Sequence, residues 1–491
     1  MTHKNIIIFW FWLLFTTFSC TDELELSPVS SMTVNSFWKT EEDAKGGLYG
    51  MYDRFRNQAA ENLYYWGGAR SEELSYGLQA SEGRERFFEN TLDANYAGPN
   101  WLRLYTVIHD ANLIIKYVPE ISFVNDDTQN IILAQAYAMR AYVYFVMVRT
   151  WGGVPLVTEP TEGYDPVTTF KPRASEEDIF IQIKNDIGQS LSLFPDNDFP
   201  SARSEWSAPA VNALKGEVFL WTAHRMNGGP GDFQIALDAL SQVSNSDVSL
   251  LEDYDKVFRY DNKGNKEIIM AIHFEDLESG GNYNSSMFIR GDQIPVNTTE
   301  ETKALLGIGG GLNRWAPSSL LRDQFSDDDS RKVTSFVEVY TYDGANNSTF
   351  YTSAVRKFRG FEDAGTTKFM DDVILYRYAD ILLMIAEAKN GLGQDPSTEI
   401  NLVRQRAYGN DFANHEFVNG SQEENEEKIL KERLFELSFE GKRWWDLVRF
   451  DKAFDIIPSL IAQKGNDHLL LFPISEATIG LNSKIIQNPG Y

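Results

Sequence analysis

The side chains best suited to chemistry in this sequence are aromatic rings and amides in loop-like segments. Tyr76, Tyr283, Phe288 and Trp315 lie in glycine- or asparagine-containing surroundings, and Asn313 lies close to Trp315. Flat aromatic faces stack on sugar rings or peptide side chains, and an amide offers donors and acceptors that suit hydroxyl groups. We predict that these five residues bind a ligand, and we expect Trp315→Ala to weaken binding with little loss of stability. The alternative for each residue is local packing under a loop.

Catalytic and metal-binding constellations are not recognisable among the other reactive residues. The six histidines are far apart, and the sequence has no phosphate-binding glycine loop and no Gly-x-Ser-x-Gly motif. The acidic runs at 261–267 and 327–329 lack the spacing of an EF-hand, so we interpret them as solvated turns. We therefore expect no catalytic residue, no metal site and no cofactor. A carboxylate pair cannot be recognised among 71 acidic residues, so a secreted glycoside hydrolase stays open.

The N-terminal segment has the features of an export signal. Lys4 precedes an apolar run at 6–15, which is shorter than the roughly 20 residues of a membrane-spanning helix. The sequence that follows, Thr-Phe-Ser-Cys, ends at Cys20, the only cysteine, and resembles a bacterial lipobox with Thr17 where an apolar residue is usual. We predict that residues 1–19 are a lipoprotein signal peptide and that Cys20 carries the lipid. An ordinary cleaved signal peptide is the alternative.

Composition narrows the class of protein. The chain has 491 residues with 24% charged and 43% hydrophobic residues, which excludes wholesale disorder. Its net charge of −26 would repel nucleic acid and argues against strongly anionic polysaccharides. Arg290, Arg314 and Arg322 lie near the proposed aromatic residues, however, and could hold a carboxylated sugar.

The candidate residues must be positioned by a largely helical chain. Helices are predicted at 101–117, 129–149, 172–193, 210–224, 232–244, 378–390, 397–407 and 422–449. Alanine-rich helices followed by glycine-containing turns and a second helix are typical of helix-pair repeats. Between about 250 and 375 the chain is rich in glycine and asparagine, with strands expected at 267–273 and 333–340. The sequence thus predicts a mainly α fold with an inserted, loop-rich, mixed α/β lobe.

Several motifs in order along the chain resemble the SusD/RagB family. They occupy residues 140–157, 378–388, 401–407, 432–449 and 487–491, and with the lipobox they extend from the first residues to the last. Within 432–449, a continuous helix would place Arg433, Glu436, Glu440 and Arg443 on one face, where ion pairs can form. We interpret this motif as stabilising the fold and do not place it in the site.

The resemblance implies both a fold and a role. It implies a tetratricopeptide-like frame, formed by residues 20–250 and completed by 376–491, with a variable lobe at 251–375. It also implies a surface-exposed outer-membrane lipoprotein, not an enzyme, that acts as a lid on a SusC-like TonB-dependent barrel. Such lids capture oligosaccharides, or sometimes peptides, for import. A repeat scaffold that binds only protein partners remains an alternative.

Overall fold

The computed structural model describes residues 37–80, 83–163, 165, 169–278, 280–345 and 347–491. Cys20 and the predicted signal peptide at 1–19 lie outside the described residues. The lipid-attachment prediction therefore stays a prediction.

The described chain is mainly α-helical. Its α-helices are, in order, α1 (Glu41–Ala59), α2 (Asn62–Gly67), α3 (Glu85–Phe88), α4 (Leu102–Tyr117), α5 (Asp126–Trp151), α6 (Glu176–Leu193), α7 (Ala208–Arg225), α8 (Gly229–Ser244), α9 (Glu300–Leu306), α10 (Ser319–Arg322), α11 (Arg331–Ser335), α12 (Tyr378–Gly391), α13 (Ser397–Tyr408), α14 (Gln422–Leu437), α15 (Arg443–Arg449), α16 (Ala453–Ile456), α17 (Pro458–Ile461) and α18 (Glu476–Leu481).

The strands form small two-stranded antiparallel sheets. They are β1 (Leu74–Tyr76), β2 (Ile268–Ile272), β3 (Trp315–Pro317), β4 (Phe336–Tyr342), β5 (Ser348–Val355), β6 (Phe361–Asp363), β7 (Thr366–Lys368) and β8 (Val373–Arg377). The pairs are β1 with β3, β2 with β8, β4 with β5 and β6 with β7. Because β2 precedes most of the lobe and β8 follows it, their pairing joins the two ends of the inserted segment.

The long helices form a stack of helix pairs. Helix α1 packs against α4, α5 against α6, α7 against α8, and α12 against α13. Neighbouring pairs meet through α4 and α5, α6 and α7, and α8 and α12. Helix pairs that touch only their neighbours are the tetratricopeptide-like arrangement. The predicted fold class is confirmed.

Local signals explain where these helices begin. Helix α1 starts with a capping box in which Thr40 and Asp43 satisfy each other's backbone N–H groups. Ser175 caps α6 through the N–H of Asp178, and three acidic residues follow in its first turn. Helix α5, predicted at 129–149, has the length and hydropathy of a membrane span. Most of it is buried, as befits the central helix of the frame.

The prediction of one continuous helix at 422–449 is wrong. Helix α14 ends at Leu437 and α15 begins at Arg443. Between them Phe439 and Gly441 adopt φ values of 64° and 72°, which turn the chain out of the helix. The predicted strand at 333–340 is corrected too, because its first residues belong to α11 and β4 begins at Phe336.

The break redirects the charges of the C-terminal motif. Arg433 pairs with Asp380 and Asp446 instead of with its helix neighbours. Arg443 pairs with Glu72 at 2.6 Å. All of these side chains are buried, so their role in holding the frame together agrees with the interpretation of the motif.

A second buried ion network joins the lobe to the frame. Arg377 contacts Glu436 at 2.6 Å, Glu440 at 2.7 Å and Glu267 at 2.9 Å. Lys357, from the lobe, donates to Glu440 at 2.9 Å. Buried charges are tolerated only when they are paired, so these contacts fix the position of the lobe on the frame.

Candidate functional site

A cleft of about 550 Å³ opens between the end of α1, α2 and the segment before α4. Five amide side chains line it: Asn57, Gln58, Asn62, Asn95 and Asn100. Tyr96 contributes a partly exposed ring, Tyr65 and Phe87 lie behind it with 7% and 1% of their surface exposed, and Arg103 lies at the border. We call this surface the amide cleft. Its volume lies within the roughly 300–1,000 Å³ of small-ligand sites.

Helix α1 and the start of α4 position the amides. The last turn of α1 carries Asn57 and Gln58, and its buried face, which includes Met51 and Phe55, fixes the rotation of the helix. Before α4, the Asn100 side chain accepts the N–H of Leu102 at 3.0 Å. The backbone around the cleft is therefore set by helix ends, which give more precise positions than free loops.

Part of the hydrogen-bonding capacity of the cleft is already used. Nδ2 of Asn62 donates to Oε1 of Gln58 at 3.3 Å, and Nδ2 of Asn57 donates to the carbonyl of Asp53 at 2.9 Å. The exposed Asn95 side chain makes no hydrogen bond to any described residue, and the exposed Arg103 guanidinium makes no ion pair there. These two groups offer donors and an acceptor to a ligand.

Buried rings support the aromatic wall from behind. Tyr65 packs on Phe87 with ring centroids 4.7 Å apart. Trp315 lies under both rings, 4.9 Å from Tyr65 and 6.2 Å from Phe87. Its Nε1 donates to the carbonyl of Arg84 at 3.2 Å. Trp315 therefore couples the lobe to the wall of the amide cleft.

Tyr65 also belongs to a small polar group at the base of the cleft. Its hydroxyl donates to Oε1 of Glu61 at 3.2 Å, and the Ser286 hydroxyl donates to the same oxygen at 3.3 Å. The Arg84 guanidinium lies 3.6 Å from it. Burial, followed by the Glu61 carboxylate, raises the pKa of Tyr65, so the phenol keeps its proton and remains a donor.

The structure corrects the location expected for four of the five predicted ligand residues. Tyr283 and Phe288 are 3% exposed, and Asn313 and Trp315 have no exposed surface. A side chain without accessible surface presents no face to a sugar in this structure. The residues occupy the interior because the glycine-rich segments around them fold back over the lobe, so the packing alternative describes their placement.

Each of the four buried residues has a structural partner. Tyr283 stacks on Tyr64 at 4.8 Å, and its hydroxyl donates to the carbonyl of Phe439 at 2.9 Å. Asn313 accepts the N–H of Leu78 at 2.8 Å. Phe288 packs against Phe369 in a small second core of the lobe.

Tyr76 is the predicted residue that reaches the surface. It is 57% exposed, and its ring touches Phe88 edge-on at 5.1 Å. The hydroxyl donates to Glu89. Tyr76 is also the register partner of Trp315 across the β1–β3 pair, so the structure places it next to the support of the amide cleft. Its ligand contact stays a prediction.

The three arginines proposed near the aromatic residues do not form one cluster of ion pairs. Arg290 pairs with its neighbour Asp292 at 2.6 Å, and Arg322 pairs with Glu338. The Arg322 guanidinium also lies over the ring of Phe350 at 4.3 Å. Of the acidic runs, Asp329 pairs with Arg331 and Asp328 with His415. Within the described ranges, no group of three acidic, histidine or cysteine side chains is arranged to hold a metal ion.

Another cavity, of about 360 Å³, lies between α1 and β2. Its charged residues bind one another: Arg56 pairs with Asp53 at 2.7 Å and approaches Glu278 at 3.9 Å. Tyr49 stands exposed at its edge. The amide cleft is the better candidate for neutral ligands, because amides and aromatic rings dominate its lining.

Sequence reasoning missed the amide cleft because its residues come from several distant segments. Asn57 and Gln58 end a helix, Phe87 lies in α3, and Ser475 lies near the C-terminus. One local signal was available: residues 95–100 read Asn-Tyr-Ala-Gly-Pro-Asn, which combines turn formers with an aromatic ring and two amides.

Family models match both ends of the chain. The model described as SusD family matches residues 327–491. The model described as starch-binding associating with outer membrane, of the SusD-like group, matches residues 24–220. The two regions together contain the frame helices at both ends and part of the lobe.

Full-length proteins are similar over nearly the whole chain. SusD-like protein P38 of Formosa agariphila is 29% identical, over 89% of this chain and 90% of its own length. B. fragilis NanU is 33% identical and superimposes with a TM-score of 0.85 over 95% of this chain and 100% of that chain. A laminarin-binding SusD-like protein has the same fold, with a TM-score of 0.74 at 24% identity over 92% of this chain and all of its own.

Proposed function

The chain belongs to the SusD family, and from this premise we propose that it is a cell-surface lipoprotein that binds oligosaccharides and delivers them to a TonB-dependent outer-membrane transporter. Peptides are the second ligand class. SusD-like proteins bind glycans and associate with the outer membrane. The proposal goes beyond these family properties in three respects: the lipid anchor at Cys20, the SusC-like partner and the absence of catalysis.

The amide cleft is the observation that carries the proposal. A sugar presents hydroxyl groups around a flat, partly apolar ring, and the cleft offers amides beside aromatic rings. The free groups of Asn95 and Arg103 leave hydrogen-bonding capacity for a ligand. Because the cleft is open and shallow, the expected affinity is moderate, which suits a protein that must pass its ligand on.

The decisive experiment is a panel of neutral oligosaccharides and peptides, measured by calorimetry with the purified protein. We compare wild-type protein with Asn95→Ala, and use Asn245→Ala as the matched control, since Asn245 is exposed at the end of α8. A lost neutral hydrogen bond is worth about 0.5–1.5 kcal/mol, so Asn95→Ala should weaken glycan binding roughly twofold to tenfold. Equal binding by both variants would remove Asn95 from the site.

A product assay in the same samples tests the absence of catalysis. Release of new reducing ends from a bound glycan would favour the glycoside hydrolase. Absence of any glycan or peptide binding, with the SusC-like barrel still binding, would favour the protein-binding scaffold. Saturable binding without turnover supports the proposal.

Membrane attachment is tested separately through Cys20. The variant Cys20→Ala should be recovered in the soluble fraction, with an unchanged circular dichroism spectrum. Several acyl chains at one residue hold a protein at a bilayer stably. Retention of Cys20→Ala in the outer membrane would contradict the lipid anchor.

A further inference from the structure

The lobe contains a second cavity of about 290 Å³, which we call the arginine pocket. Arg356 and Arg359, in the segment between β5 and β6, contribute its charged wall, and Phe288 and Phe361 contribute apolar surface. Glu362 and the end of α9 complete the lining. None of these residues lines the amide cleft, so the two cavities are separate.

Three guanidinium groups at this pocket share one carboxylate. Arg359 forms two hydrogen bonds to Asp255, at 2.7 and 3.1 Å. Arg356 lies 3.4 Å from the same carboxylate, and Arg259 lies 3.5 Å from it. Among the described residues, no other carboxylate lies within ion-pair distance of these three arginines. Arg259 does not line the pocket and is also influenced by Asp371 and Asp261. Arg356 and Arg359 line the pocket and share Asp255 as their ion-pair partner among the described residues.

Burial and the neighbouring charges change the pKa values of these arginines. Burial, followed by the neighbouring Arg359, lowers the pKa of Arg356 to about 10. Burial also lowers the pKa of Arg259, whose Nη1 is buried without a hydrogen-bond partner among the described residues. At Arg356 the like charge of Arg359 therefore acts in the same direction as burial.

The arginines retain donors that an anion could use. Arg356 donates through Nε to the carbonyl of Leu305 and through Nη1 to the carbonyl of Val333. Its Nη2, and Nε of Arg359, make no hydrogen bond within the described ranges. A guanidinium with free N–H groups binds carboxylate or sulfate oxygens in a directed way.

The arginines are also held in place by Lys357, one of the two residues between them. Lys357 points to the interior, where Nζ donates to Glu440 at 2.9 Å and to the carbonyl of Ser438 at 2.8 Å. This buried anchor fixes the backbone from which Arg356 and Arg359 reach the pocket. Glu362 is the opposing charge in the lining, and its Oε1 is engaged by the N–H of Ile308 at 3.1 Å.

We propose that the arginine pocket is an anion-binding site that takes the carboxylate or sulfate group of a small ligand through Arg356 and Arg359. The partly exposed ring of Phe361 offers apolar surface to the rest of the ligand. The site is independent of the amide cleft and does not rest on the proposed function, because it is defined by charge in a different cavity.

Calorimetric titration of the purified protein tests the site, with glucuronate and inorganic sulfate as probes and glucose as the neutral control. Arg359→Gln should weaken binding of the anions at least tenfold. The matched control is Arg225→Gln, which removes an arginine that lines neither cavity and whose partner is the exposed Asp451. Arg359→Lys keeps the charge, and its affinity for the anions should lie between those of wild type and Arg359→Gln. Circular dichroism and thermal unfolding verify that each variant is folded.

The two probes separate the sources of the anionic group. Binding of glucuronate alone assigns a carboxylate, binding of sulfate alone assigns a sulfate group, and both results support the site. Absence of saturable anion binding to folded wild-type protein would overturn it, as would equal affinity in Arg359→Gln and Arg225→Gln. Neutral glycan binding by the same samples reports on the amide cleft, so failure of one proposal does not imply failure of the other.

Discussion

Trp315 lies edge-on beneath Tyr65, with ring centroids 4.9 Å apart and an angle of 71° between the ring planes. The tryptophan comes from the β3 strand and the tyrosine from α2, so this contact joins two parts of the chain 250 residues apart. One ring has no exposed surface and the other lines the amide cleft. Trp315 therefore supports the wall of the amide cleft without reaching the ligand, whereas Tyr65 forms part of the wall.

Trp315→Ala is therefore expected to destabilise the protein, contrary to the expectation from the sequence. Replacing a fully buried tryptophan by alanine costs about 3–5 kcal/mol, because a cavity is left behind. Urea unfolding should show the loss, and glycan affinity should fall as Tyr65 loses its support. Trp315→Phe, which keeps a ring, should recover much of the stability and of the glycan affinity. An unchanged unfolding midpoint in Trp315→Ala would contradict this placement.

Tyr76→Ala tests the one predicted ligand residue that is exposed. Loss of an aromatic contact worth about 0.5–1.5 kcal/mol should weaken glycan binding roughly twofold to tenfold. Stability should change little, since the ring touches Phe88 only at its edge. Tyr49→Ala is the matched control, because Tyr49 is 59% exposed and lies outside the amide cleft. Equal calorimetric affinities in the two variants would exclude Tyr76 from the site.

Arg377→Met should strongly destabilise the junction of lobe and frame. The substitution leaves Glu436 and Glu440 buried with fewer cations, and removing one partner of a buried ion network costs about 3–5 kcal/mol. Arg225→Met is the control, because its partner Asp451 is exposed and surface pairs contribute about 0–1 kcal/mol. Thermal unfolding of both variants checks the difference, and similar midpoints would contradict the assigned role.

Glu73 should make stability depend on pH between about 5 and 8. Burial, followed by the neighbouring Glu72 carboxylate, raises the pKa of Glu73 to about 8. In this window the folded state holds a proton that the unfolded state has released, so stability falls as the pH rises and levels off above the folded-state pKa. The total effect is a few kcal/mol, roughly 1.4 kcal/mol for each unit of pKa shift.

Glu73→Gln cannot titrate, so it should gain stability relative to wild type as the pH rises from 5 to 8. Its amide still offers an oxygen to the N–H of Phe439, which Glu73 contacts at 3.1 Å. Urea unfolding at both pH values, with the exposed Glu120→Gln as control, measures the change. A constant difference between wild type and Glu73→Gln across this range would refute the protonated state.

The frame was predictable because its signals are local. Apolar periodicity placed α4 to α8, α12 and α13 to within a few residues of their observed ends. The break after Leu437 was missed because residues 432–449 favour helix throughout, apart from Gly441. The positive φ of Phe439 follows from the packing of its fully buried ring, which tertiary structure decides.

The candidate site was less predictable because local sequence determines neither which side chains are buried nor which distant segments meet. Glycine and asparagine around Trp315 and Asn313 correctly indicated turns, but they carry no information on which way a side chain points. The amide cleft depends on α1, α2 and the segment before α4 meeting in space. Asn57 and Asn95 have no spacing relation that a sequence pattern could reveal.

The ion network between lobe and frame has a consequence for the order of folding. Lys357 and Arg377 meet their counter-charges Glu440 and Glu436 only 83 and 59 residues further along the chain. During synthesis Arg377 can already pair with Glu267, but Lys357 has no acidic partner among the described residues until residue 440 has emerged. The helix pairs up to α8 are complete far earlier, and such distant contacts form late. The lobe in the middle of the chain therefore completes its packing on the frame only after the C-terminal motif has been made.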